Sequence, residues 1–293
     1  MKNPEKKELN KKLGANLKSI AKEKKQTGNT RSFEQILSNQ MLESFEVYRL
    51  QRKSLFLNSV IAGLEIGFSY LLIATLYHLL LGKISTSYIF PLFALVYPIG
   101  FLMVVLGKSI LFTEQTALLT LPVLNGNKSF VSLIIIWSVV IAGNLAGGIL
   151  FSILTIFIAP SLGIFSASDM ADIGLYVGGI DAWIMFFSAL LAGWLMGLLS
   201  WVLNSSNETI SRIILVFIIT GTIGFLGLHH SIVGNIEVFL GFLTSPEISF
   251  SDYMIFLLNV LAGNAVGGAI FVALFKYSVF FTTLKDETNT KKS

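Results

Sequence analysis

Six stretches of this chain are apolar over lengths that a soluble domain rarely buries in one helix. They lie at about 55–81, 89–124, 129–158, 181–203, 211–243 and 253–281. Each is long enough to cross a ~30 Å hydrocarbon layer at ~1.5 Å per residue. Without water at that depth, the backbone must satisfy its own N–H and C=O groups, and helices do so within one segment. The expected fold class is therefore an all-α membrane protein with six transmembrane helices. Composition agrees, with 54% hydrophobic residues, 13% charged residues and a mean hydropathy of +0.74. The absence of cysteine excludes disulfides and thiolate metal sites.

The second and fifth segments are too long for simple spans, and both carry an interruption. The second breaks at Gly107-Lys-Ser-Ile-Leu-Phe-Thr-Glu-Gln115. The fifth breaks at Gly227-Leu-His-His-Ser-Ile-Val-Gly-Asn235, which holds His229, His230, Ser231 and Asn235, with Gly224 just before it. Polar groups inside hydrocarbon are costly unless paired or facing water, so this stretch is a functional site by default. Non-helical backbone at membrane depth is tolerated only where protein buries it or a cavity lines it.

The ends are polar. Residues 1–54 read as a cytoplasmic basic tail followed by an amphipathic helix, 55–282 as the transmembrane transport domain, and 283–293 as a polar cytoplasmic tail. The first segment has no apolar core of a cleavable signal. Ser32 and Gln35 form a capping-box pattern, and Phe33, Ile36, Leu37, Met41, Leu42 and Phe45 share one face of the helix that follows. The net charge of +4 comes mostly from this region. A membrane domain follows it directly, so the basic residues suit an anionic lipid surface rather than nucleic acid. Lys128, Arg212, Lys276, Lys285, Lys291 and Lys292 fall on one side of the expected spans. Asp169, Asp172, Glu247 and Asp252 fall on the other, in connections read as loops, the longest at about 159–180. Both termini are therefore expected in the cytoplasm.

The two halves resemble each other. Gly143-Asn-Leu-Ala-Gly-Gly148 returns as Gly263-Asn-Ala-Val-Gly-Gly268, Gly100-Phe-Leu as Gly224-Phe-Leu, and Gly63/Gly67 as Gly193/Gly197. Three pairs in one order indicate a duplication. Three spans per repeat is an odd number, so the second copy enters the membrane the opposite way round. The result is an inverted repeat with its site at the midplane between two broken helices, an aquaporin-like architecture.

These residues resemble the formate–nitrite transporter family. Leu111-Phe112-Thr113 is similar to that family's loop in the second span, and His230-Ser231 with Asn235 to its histidine motif in the fifth. The two Gly-Asn-x-x-Gly-Gly stretches are similar to its third and sixth helices. The resemblance spans roughly residues 40–282. There are departures: Ile110 stands where the family usually has an acid, His229 where it has glutamate, and one extra residue separates His230 from Asn235. A family asparagine in the fourth helix falls near Gly197. The chain looks like a divergent branch, similar to bacterial inner-membrane members with Glu-Gln or Glu-Asn after Leu-Phe-Thr, so fold carries over better than substrate.

The resemblance implies a channel or proton-coupled carrier for small monovalent weak-acid anions, with formate and nitrite as examples, and a homopentamer with one pore per subunit. It implies that His230 attracts or protonates the permeating anion at mid-pore, using an imidazole that titrates near neutral pH. Leu111 and Phe112 would form an apolar gate, and Thr113 would offer its hydroxyl to the anion. Tyr97 and Phe101, one turn apart, would narrow the opposite wall. His229, read as a helical neighbour of His230, points about 100° away. Lys108 has two roles open to it, drawing anions by charge or pairing with Glu114. Glu65 is an acid inside the first span, a candidate partner for Lys108 or a histidine. Asn144 and Asn264, with Asn235, are expected to satisfy backbone freed by the breaks. His78 is distant from the pair, and no carboxylate cluster completes a metal shell, so neither metal nor cofactor is expected. An enzyme would need a nucleophile or metal that is not at suitable spacing. The alternative is an aquaporin-like pore for small neutral solutes, although the two Asn-Pro-Ala turns of such pores are missing.

Overall fold

The computed structural model describes residues 31–279 and Thr282, and these residues are helical with no strand among them. The expected tails at 1–30 and 283–293, including Lys285, Lys291 and Lys292, lie outside the described residues.

The first helix, α1 (Phe33–Arg49), begins with the capping box. The Ser32 hydroxyl accepts from Gln35 N at 3.3 Å, while Gln35 Oε1 accepts from Ser32 N at 2.9 Å. Its apolar face sets Ile36, Leu37 and Met41 against Ala117, Leu121, Trp201 and Val272. There follow α2 (Arg52–Leu80), short α3 (Thr86–Leu92), a 3-10 turn (Phe93–Leu95), α4 (Pro98–Gly107) and α5 (Phe112–Leu124). Then come α6 (Phe130–Ser161), α7 (Ala167–Gly178), α8 (Ala182–Leu203), α9 (Thr209–Leu226), α10 (Ser231–Thr244) and α11 (Phe250–Val266). The last of these continues as a π-helix over Gly267–Leu274. Among the described residues six helices are long and apolar enough to cross a membrane: Arg52–Leu80, Thr86–Gly107, Phe130–Ser161, Ala182–Leu203, Thr209–Leu226 and Phe250–Val279. The shorter helices α5 and α10 carry the second and fifth segments on beyond their breaks.

The connection expected as a loop at 159–180 is corrected by α7. Ser166 and Asp169 make a second capping box, with Asp169 Oδ2 accepting from Ser166 N at 2.7 Å. The helix buries Met170, Ile173 and Gly174, and Gly174 meets Gly241 of α10 backbone to backbone. Asp169 is accordingly a buried group rather than a loop charge, 2.9 Å from His78 Nδ1.

Two helix pairs pack closely, α2 with α6 and α8 with α11, and they use matching glycines. A side chain on Gly63 would collide with the Asn144 carbonyl, and one on Gly193 with the Asn264 carbonyl. Gly147 lies against Val60 O, and Gly267 against Leu190 O, in the same way. With no water to expel between lipid-embedded helices, such close backbone contact is what holds them together.

Candidate functional site

Each broken helix stops with a residue in the left-handed region. Lys108 ends α4 at φ 60 and ψ 32, and Gly227 ends α9 at φ 61 and ψ 33. Among the described residues Lys108 is the only non-glycine with positive φ. The chain then extends. Leu111 (φ −102, ψ 128) caps α5, and His230 (φ −111, ψ 124) caps α10.

The backbone groups freed by these breaks are taken up by one asparagine each. Phe112 N donates to Asn144 Oδ1 at 2.8 Å, while Asn144 Nδ2 donates to Ser59 O at 2.7 Å and Ile110 O at 2.9 Å. In the other half Ser231 N donates to Asn264 Oδ1 at 2.8 Å, while Asn264 Nδ2 donates to Ala189 O at 2.7 Å and His229 O at 3.1 Å. Buried backbone groups must be paired, and the same three-bond solution occurs twice. Asn235, grouped with these two on sequence grounds, is not at a break. It lies inside α10, where its Oδ1 accepts from Tyr253 Oη at 2.5 Å.

The two breaks meet. Thr113 Oγ1 lies 2.7 Å from His230 Nε2, and both residues are almost fully enclosed, at 0% and 2% exposure. His230 Nδ1 accepts from Ile232 N at 3.3 Å and Val233 N at 3.4 Å, so the ring caps its own helix. A nitrogen that accepts carries no proton, so the neutral ring bears its hydrogen on Nε2 and donates it to Thr113. The Thr113 hydroxyl hydrogen is then left to donate elsewhere. Phe101 meets the His230 ring edge-on at 5.0 Å, and Tyr97 stacks on Phe101 at 5.3 Å.

His229 has different surroundings. The pair is not on a helix, as the 100° argument assumed, but on extended backbone, where successive side chains face opposite ways. His229 Nε2 donates to Val177 O at 3.1 Å. Its Nδ1 is 2.8 Å from Ser188 Oγ, which also accepts from His229 N. This imidazole is fully engaged with α7 and α8.

Leu111 packs in the cluster that contains Phe101, Val104 and Ile232. Phe112 turns the other way, edge-on to Trp137 at 5.7 Å and beside Leu55 and Val140. Extended backbone separates the two residues of the expected gate. Lys108 is exposed, and neither it nor Glu65 makes an ion pair among the described residues. Glu65 stands instead against Gly107 at the first break. Among the described residues no three histidine or acidic side chains gather as a metal shell. Ser188, which holds His229, carries no signal in the sequence. Glu237, absent from the residues expected above, does carry one, as an acid inside the apolar run of α10.

The formate/nitrite transporter family model matches residues 34–278 of this chain. An inner membrane protein of Escherichia coli, YfdC, is 30% identical over 232 residues, covering 77% of this chain and 71% of that protein. A probable formate transporter of Methanothermobacter thermautotrophicus is 27% identical, covering 66% of this chain and 75% of that one. Among solved structures, an FNT family ion channel superposes with a TM-score of 0.74 at 23% identity, covering 83% of this chain and 98% of that one. A pentameric formate channel with formate bound gives 0.69 at 20% identity, with 78% and 98% covered.

Proposed function

The chain belongs to the formate/nitrite transporter family, and from that premise we propose that it passes small monovalent weak-acid anions through a pore centred on His230 and Thr113. As an integral membrane protein of a transport family it moves solutes rather than transforming them. The observation that carries the reading is the 2.7 Å contact joining the two breaks, with one hydrogen-bond donor pointing from each half. An anion leaving water loses its hydration at a steep cost in an apolar passage. The Nε2–H of His230 and the hydroxyl of Thr113 are donors placed where that cost peaks, so the site attracts the anion by hydrogen bonding. Leu111, Phe101 and Tyr97 narrow the passage on either side.

The assembly we infer is a homopentamer with one pore per subunit, in line with the superposed pentameric formate channel. We infer a bacterial plasma membrane with both termini cytoplasmic, a reading that the positions of Lys128 and Arg212 support. Residues 55–282 form the transport unit, with 1–54 and 283–293 on the cytoplasmic side.

Flux into liposomes holding the purified protein tests the reading. Formate, nitrite and acetate should enter faster than through protein-free liposomes at both pH 5.5 and pH 7.5. Entry should fall by about a hundredfold on His230→Ala, the scale of losing a preorganised donor at the barrier. Comparable entry of glycerol or urea with no weak-acid flux would replace this reading with the neutral-solute pore.

A further inference from the structure

The hydrogen bonds of His230 raise the question of where a proton would come from. Its Nδ1 faces two backbone N–H groups at the positive end of α10. A second proton on the ring would point directly at them. The neutral ring can lend its Nε2–H as a hydrogen bond, but losing that proton outright would leave an imidazolate. A pore that hands protons to its anions needs another acid.

Glu237 is placed to be that acid. It follows His230 by seven residues, two turns of α10, on the same side of the helix and about 10 Å along it. The residue is only 7% exposed, yet neither carboxylate oxygen is among the fully sealed atoms that lack a partner, and no described residue hydrogen-bonds to it. No lysine or arginine among the described residues pairs with it. Gly174 of α7, two residues before Tyr176, packs against the Glu237 carbonyl. Tyr97 leads inward through Phe101 to His230. Tyr176 lines an open cleft of about 400 Å³ together with Thr86, Ser87 and Gly227.

The other groups around Glu237 are accounted for. From α7 come Tyr176 and Asp169, the latter held by Ser166 and His78. From α2 comes Tyr70, whose buried hydroxyl has no partner. From α11 come Tyr253, bonded to Asn235, and Asp252, held by Ser249. α6 carries no ionisable side chain. Flanking α10 are His229, engaged by Ser188 and Val177, and His230 itself. With Asp172 of α7 bonded by Tyr77, Glu237 is the one carboxyl on α7, α10 and α11 that no other described side chain holds.

We propose that Glu237 is the proton-exchange group of this pore, the residue that supplies the proton with which a weak-acid anion crosses. The inference rests on the weak-acid reading above and names its proton source. The step balances: an anion meets the protonated carboxyl, the carboxyl O–H breaks, and an O–H forms on the permeant. The neutral acid then passes His230 and Thr113 as a hydrogen-bonded guest. A hydronium ion from the entry-side solution returns a proton to Glu237 and becomes water, and the permeant releases its own proton on the far side.

The test measures labelled formate uptake, internal pH and membrane potential together in proteoliposomes. Wild-type protein should carry one proton per formate, accumulate formate on a pH gradient alone, and respond little to imposed voltage. Glu237→Gln should lose gradient-driven accumulation by roughly a hundredfold, the lower range of a positioned proton donor. Glu237→Asp should restore it, while His230→Asn should run slower at the same ratio. Wild-type uptake that moves net charge without protons would overturn the proposal whether or not the glutamine variant folds. So would Glu237→Gln uptake at wild-type rate and ratio. Wild-type protein that passes no weak acid at all would sink the underlying reading, and this inference with it.

Discussion

His229 and His230 are neighbours in sequence with opposite employment. One ring is consumed by Ser188 and Val177, the other bridges to Thr113 while capping α10. Asparagine is a good N-cap, so His230→Asn should keep the helix start and lose only the donor at Thr113. Weak-acid flux should fall while thermal stability stays close to wild type. His229→Asn should do the reverse, costing about 1–2 kcal/mol of stability from the broken bonds with little change in flux. If the two phenotypes exchange, the pore histidine has been misassigned. Thr113→Val removes the acceptor of the His230 Nε2–H and the free hydroxyl. Flux should drop by about tenfold, the worth of an ordinary hydrogen bond, when initial rates are compared at equal protein density.

At the level of elements, the breaks are the informative units. The substitutions Asn144→Ala and Asn264→Ala should act alike, because each strands one backbone N–H and two carbonyls. Each should cost about 3 kcal/mol or more, visible as a lower unfolding midpoint in detergent. A large effect from one and none from the other would dissolve the duplicated geometry. Lys108 allows a separate experiment. A lysine held in the left-handed region is strained by about 1 kcal/mol, which glycine relieves. Lys108→Gly should therefore fold at least as well as wild type, and its flux at low salt shows whether the charge draws anions. That both long segments break was legible from their length and from the glycines and polar residues inside them. α7 was not legible, because its two aspartates resemble loop charges until Asp169 is seen to cap the helix and meet His78.

For the whole molecule, charge asymmetry and helix count make the topology testable. Single cysteines at Asp172 and at Lys128 should react with a membrane-impermeant reagent from opposite sides. Reaction from one side would contradict the six-crossing, inverted arrangement. Native mass spectrometry of the detergent-solubilised protein should give five copies. A stable monomer or dimer would count against the proposed assembly.

By itself the amino-acid order determined the number of crossings, the two interruptions, the repeat and the pair of Gly-Asn-x-x-Gly-Gly helices. Each of these follows from local physics, since hydrocarbon demands closed hydrogen bonds and long apolar runs, and breaks demand glycine or polar rescue. Only the tertiary structure decided which histidine faces Thr113, which way Leu111 and Phe112 turn, and that Glu237 is buried with no side-chain partner. Those outcomes depend on extended backbone at the breaks, where neighbouring side chains diverge, and on contacts between residues more than a hundred positions apart. No window along the chain contains that information, because it arises only when the two halves close on each other.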